Sequence, residues 1–161
     1  MVEKSCNTTA WVGVTNSKSM TIGAAPLQIL LIEDSAGDTL LTGQIVAESP
    51  IPIRLVVARD GVQALDMLAD PDFQPVLIIL DLNIPLISGH VVLERTHRKE
   101  IPVVIFSVSG DPADKRRALA LGAREYVQKP MNLGDYKEAI WGILERWART
   151  EKGGAEGAAA T

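Results

Sequence analysis

The chain has 161 residues, 47% of them apolar and 22% charged, with a net charge of −4. That length accommodates one domain with a sizeable core and not two ordinary ones, and the acidic balance offers no electrostatic footprint for nucleic acid. The single cysteine, Cys6, excludes an internal disulfide, and neither a signal peptide nor a membrane-length apolar run is evident, so a cytoplasmic protein without a membrane partner is expected.

Residues 1–25 are small and polar around Trp11, Val12 and Val14, and are expected to lie outside the fold as an N-terminal extension. Residues 151–161, rich in glycine and alanine, are expected to be a disordered tail, which leaves 26–150 as the domain. Inside that span five apolar runs alternate with five amphipathic segments. This pattern predicts an α/β fold, a doubly wound five-stranded parallel sheet with helices on both faces.

The first strand, Leu27 to Ile32, ends at Glu33 and Asp34. Ser35 and Asp38 then have capping-box spacing, with Asp in place of the usual Glu or Gln, before a helix to about Glu48. Ile53 to Ala58 is the second strand, and Asp60 and Gly61 turn the chain into a helix that Asp70 and Pro71 end. Val76 to Leu80 is the third. Its continuous apolar run reads as a strand buried on both faces, and Asp81 stands at its carboxyl end, where open α/β sheets place ligand chemistry. Taken alone, Asp81 fits a turn cap before Pro85 equally well.

A helix after Gly89 carries Val91, Val92, Leu93 and Thr96; His90 and His97 on it read as surface or edge histidines, not metal ligands. The fourth strand, Val103 to Phe106, ends in Ser107, and Asp111 and Pro112 open a helix that stops at Gly122. Glu125 to Gln128 is a short fifth strand closed by Lys129 and Pro130. The last helix runs from about Leu133 to Arg149, with Leu133, Tyr136, Ile140, Ile143, Leu144 and Trp147 on one stripe. Trp141 falls to the side of it, at the edge of the core or in a binding surface.

In a parallel sheet the strand ends share one edge, which gathers Glu33, Asp34, Asp81, Ser107 and Lys129. Three carboxylates there repel unless something positive neutralises them, and hard oxygen ligands with room for water suit Mg²⁺. Each group alone has an ordinary explanation as a cap or a surface charge. All four strand ends together do not.

Paired acids after strand one, Asp81 with Pro85 and Gly89 four and eight residues on, Ser107 after strand four, and Lys129 with Pro130 after strand five resemble the receiver domain of two-component response regulators. The segment Gly122 to Pro130 is similar to that family's approach to its lysine, and the resemblance covers about 27–148. It implies the flavodoxin-like strand order 2-1-3-4-5. It also implies that Asp81 is the phosphoacceptor for a sensor histidine kinase, so the chain catalyses only its own Mg²⁺-dependent phosphorylation and dephosphorylation. Asp34, Asp81, Glu33 (directly or through water) and the main-chain carbonyl of Asn83 would hold Mg²⁺. Lys129 would pair with a phosphoryl oxygen, aimed by a cis bond to Pro130.

On phosphorylation Ser107 would move toward the new oxygens and Tyr126 would rotate inward, although Tyr126 also fits a half-buried strand aromatic. The face of helix four, strand five and helix five would carry the signal and a homodimer. Val108 replaces the small residue usual after the hydroxyl position, and Asn83 and Ser109 occupy the positions that tune phosphate lifetime. Among subtypes, the chain is similar to the stand-alone regulators paired with bacterial phytochromes. A pseudo-receiver docking module is the alternative, but usually lacks an acid, the acceptor or the lysine. A haloacid-dehalogenase-type phosphotransferase would need a second Asp where this chain has Asn83.

Overall fold

The structure, a computed structural model, describes residues 14–15, 25–96 and 100–148. Its strands are β1 (Val14–Thr15), β2 (Leu27–Ile32), β3 (Ile53–Ala58), β4 (Leu77–Leu80), β5 (Val103–Ser107) and β6 (Glu125–Gln128). Its helices are α1 (Ala36–Ala47), α2 (Gly61–Ala69), α3 (Gly89–Thr96), α4 (Pro112–Ala120) and α5 (Leu133–Trp147). They form one sheet in the order β1-β3-β2-β4-β5-β6. β2 to β6 are mutually parallel, and numbered among themselves they give the expected order 2-1-3-4-5.

Side chains alternate across each strand, so the sheet divides the core in two. Leu30, Ile32, Val56, Ile78, Leu80, Val103 and Ile105 pack with residues of α2, α3 and α4. Ile29, Leu31, Ile53, Leu55, Leu77, Ile79, Val104 and Phe106 pack with α1 and α5. Each of Leu77 to Leu80 is wholly buried, as the unbroken apolar run requires. Four helices begin on side-chain caps: Ser35, Asp60, Asp111 and Asn132 each accept from a backbone N–H of the first turn. α4 ends where Gly122 takes a φ of 105°, a conformation that disfavours any residue with a Cβ.

Two details differ from the sequence reading, and a third settles a choice it left open. Residues 1–25 were expected outside the fold, but Val14 and Thr15 pair antiparallel with Leu55 and Arg54 of β3. The Leu27 and Glu33 amides bond the Pro52 and Ala58 carbonyls. Peptide groups alternate sides along a strand, so those of Leu55 point to the open edge, which β1 occupies. Leu133, placed on the apolar stripe, is 62% exposed as the first residue of α5. Trp141 resolves to the edge of the core: its indole N–H donates to the Ile45 carbonyl at 3.3 Å, with the Lys137 ammonium 4.5 Å from its ring.

His90 is half-buried on α3, and burial and the Arg117 cation lower its pKa. His97 and the expected tail at 151–161 lie outside the described residues. Among the described residues no helix is long and apolar enough to cross a membrane.

Candidate functional site

The site lies at the carboxyl edge of the parallel strands and is built by local hydrogen bonds before any long-range contact. Directly after β2, Glu33 Oε1 accepts the Ser35 N–H at 3.0 Å, while the Ser35 hydroxyl accepts the Asp38 N–H at 3.2 Å. The α1 cap therefore fixes both an acid before the helix and one in its first turn. After β4, Asp81 Oδ1 accepts the Asn83 N–H at 3.0 Å. Beyond β6, the Lys129 N–H bonds the Ser107 carbonyl at 2.7 Å, extending the β5–β6 ladder and directing the side chain over the edge.

The Lys129 ammonium then donates to three carboxylates: Glu33 Oε2 at 2.5 Å, Asp38 Oδ2 at 2.9 Å and Asp81 Oδ2 at 2.9 Å. It also lies 5.8 Å from the centre of the Phe106 ring. Burial alone would lower the lysine's pKa, but its bonds to Glu33, Asp81 and Asp38 outweigh that and leave it raised. Burial pushes the Glu33 carboxyl up to about 7, against the pull of the same ammonium. The lysine is thus firmly charged, and Glu33 titrates near neutrality.

Glu33, Asp34 and Asp81 bring carboxylate oxygens within 4.8 Å of one another. Asp34 faces solvent while Glu33 and Asp81 are buried. One exposed and two buried hard oxygens, with open space on the Asp34 side, fit an octahedral divalent cation that keeps some of its waters.

The other expected residues fall around this centre. The Ser107 hydroxyl is buried and accepts the Ser109 N–H at 3.4 Å. Ser109 donates to Asp114 at 2.6 Å, and its carbonyl accepts the Tyr126 hydroxyl at 2.8 Å. Tyr126 is therefore tethered to the β5–α4 loop and half-buried. Val108 is 62% exposed, and Asn83 is exposed. The Pro85 carbonyl accepts N–H groups from Gly61 and Ile87, shaping the loop after the acceptor. A Cβ on Gly89 would stand 2.6 Å from Leu82 Cα and 2.8 Å from the Asp81 carbonyl oxygen, so no larger residue fits.

The described residues contain no cis peptide bond, so the expected cis bond from Lys129 to Pro130 is corrected to trans. Trans is the ordinary preference of such bonds, and here the long lysine stem reaches all three acids without the alternative.

Asp38 was read only as a helix cap, yet it takes one of the three ammonium bonds. Its position in the first turn of α1 fits an ordinary helix-start acid, so the sequence carried no local mark of the bond to Lys129.

Residues 29–141 match the family model of the response regulator receiver domain. The chain belongs to this family. The receiver is 34% identical over 134 residues to response regulator Rcp1 of Synechocystis sp., covering 78% of this chain and 91% of Rcp1. The structure of the Mn²⁺-bound form of Rcp1 superposes with a TM-score of 0.72, covering 78% of this chain and 96% of that one. Phosphorylated RcpA, a cyanobacterial phytochrome response regulator, superposes at 0.73 with 33% identity, over 77% of this chain and 95% of its own. The receiver is thus a two-component signalling protein whose relatives include phytochrome response regulators.

Proposed function

We propose that Asp81 accepts a phosphoryl group from a phosphohistidine of a sensor histidine kinase. The observation that carries this reading is the convergence of one buried ammonium and the metal-capable carboxylates on Asp81 at the end of β4. An Asp81 oxygen attacks phosphorus, the bond from phosphorus to the imidazole nitrogen breaks, and its electron pair leaves with the ring. A carboxylate is a weak nucleophile, so positioning and charge compensation supply the catalysis. Asp34, Asp81, the Asn83 carbonyl and Glu33 (directly or through water) would hold Mg²⁺, which would offset negative charge on the transferring group. Lys129 donates to a phosphoryl oxygen as a compact point charge, and the Asn83 N–H bond fixes the acceptor rotamer.

The product adds about −1.5 to −2 charges at the strand ends. Ser107, fully buried beside Lys129, turns its hydroxyl to the new oxygens, and Tyr126 leaves the Ser109 carbonyl to fill the space. The surface of α4, β6 and α5 carries the change outward. There Glu125 is held by Arg146 at 2.7 Å and by the Trp147 indole at 2.8 Å, the polar fixtures of a homodimer face. Similarity to Rcp1 and RcpA supports a bacterial phytochrome as the kinase. The acids, acceptor and lysine are all in place, so nothing favours a phosphorylation-independent docking module. Asn83 and Ser109 flank the site as modulators of phosphate lifetime.

Phosphoramidate with Mg²⁺ should add one phosphate to the intact mass of the protein, and Asp81→Asn should abolish the gain. A folded protein that gains no mass, or gains it equally in the variant, overturns the assignment of Asp81.

A further inference from the structure

We propose that Asp38 is a positioning residue for Lys129, the carboxylate that stays on the ammonium when its other partners turn to the chemistry. The inference rests on the phosphoacceptor reading of Asp81 and adds a member to its machinery. An ammonium has three N–H donors and no acceptor. Glu33, Asp81 and Asp38 each take one, so the donor set is full. Two of these acids have a second task, since Glu33 and Asp81 belong with Asp34 to the group able to converge on one cation. Asp38 does not belong to that group. Once Glu33 and Asp81 serve the cation and the phosphoryl group, Asp38 is the carboxylate with no other assignment.

Its surroundings suit a permanent counter-ion. Asp38 lies in the first turn of α1, where unpaired amides favour negative charge. Its N–H is tied to the Ser35 hydroxyl, whose own N–H is tied to Glu33, so one cap sets the spacing of two lysine partners. Its side chain is 34% exposed, against 3% for Glu33. Asp38 therefore keeps contact with water, whereas Glu33 is enclosed. A lysine on a flexible stem has no preferred direction of its own. Asp38 on one side and the backbone bond to Ser107 on the other leave the two remaining N–H groups on Glu33 and Asp81.

The test compares wild type with Asp38→Asn, which preserves size and the cap, and with Asp38→Glu, which restores the charge. Proton exchange of the ¹⁵N-labelled Lys129 ammonium with water is followed by NMR, first without metal and then with Mg²⁺. Beryllofluoride, a phosphoryl analogue, is titrated in parallel. Loss of one charge-assisted bond should speed exchange and weaken beryllofluoride binding by about tenfold in Asp38→Asn. Mg²⁺ affinity without beryllofluoride should change much less, and Asp38→Glu should recover part of both effects. Ammonium exchange and beryllofluoride affinity unchanged in Asp38→Asn overturn the proposal. Failure of wild type to bind beryllofluoride overturns instead the phosphoacceptor reading, while exchange in the metal-free protein still reports on Asp38.

Discussion

Replacement of Lys129 by Met should cost about 3 kcal/mol of stability near neutral or alkaline pH in the absence of divalent metal. Methionine keeps an unbranched aliphatic side chain of similar length and removes the charge. Glu33 and Asp81, both buried, then lose the cation that each now bonds. Breaking a buried ion pair from one side costs more than the pair contributed, because the abandoned charge stays desolvated.

The loss should depend on pH, with a sign fixed by Glu33. Burial raises its carboxyl from 4.5 to about 7 even with the lysine present, and without the lysine it rises further. Across that window the native variant keeps a proton that the unfolded chain has released. Stability therefore falls as pH increases through the window and is fully present below 4.5. Urea titrations at about pH 5 and about pH 8 should show the smaller deficit at the lower value. Millimolar Mg²⁺ should recover part of the loss at the higher one, because a cation bound to the native state stabilises it. A deficit equal at both pH values would sink this account of the cluster.

Gly89→Ala should destabilise by about 2–3 kcal/mol, at the upper end of ordinary overpacking. The new methyl would sit 2.6 Å from Leu82 Cα and 2.8 Å from the Asp81 carbonyl oxygen. Both are backbone atoms, so no side chain can swing away to relieve the contact. The chain that must move carries the acceptor, and the Gly89 N–H to Leu82 carbonyl bond at 3.2 Å moves with it. Phosphorylation by phosphoramidate should slow together with the fall in stability. Gly134→Ala is the control: a Cβ there comes no closer than 3.6 Å to Asn132 Oδ1, and the position is exposed in the first turn of α5. That substitution should be neutral or mildly stabilising, since alanine gains on glycine within helices. A Gly89→Ala protein as stable as the control would mean that the loop after Asp81 has slack which these distances deny.

Both variants act on positions that the sequence marks. Asp81 could be picked out because it ends an apolar run, Lys129 because it closes the fifth strand on the same sheet edge, and Gly89 by its spacing from Asp81 in the receiver pattern. Periodicity likewise determined five strands and five helices, since burial on both faces of a sheet demands unbroken apolar runs and burial on one face of a helix demands a stripe. These are local or topological constraints, and composition carries them.

Only the tertiary structure decided which groups share the lysine. Asp38 and Lys129 lie 91 residues apart, and no local rule distinguishes a first-turn acid that caps its helix from one that also holds a distant cation. The pairing of Val14 and Thr15 with β3 was hidden for a related reason. Two residues in a polar stretch carry no periodic signal, and their place follows from the open amides of a strand forty residues on. Leu133 has its place on the stripe by periodicity and is exposed all the same, because helix phase says which way a side chain points and not whether anything covers it at the first turn. The Tyr126 hydroxyl on the Ser109 carbonyl belongs to the same class: a rotamer is chosen by the neighbours that packing supplies.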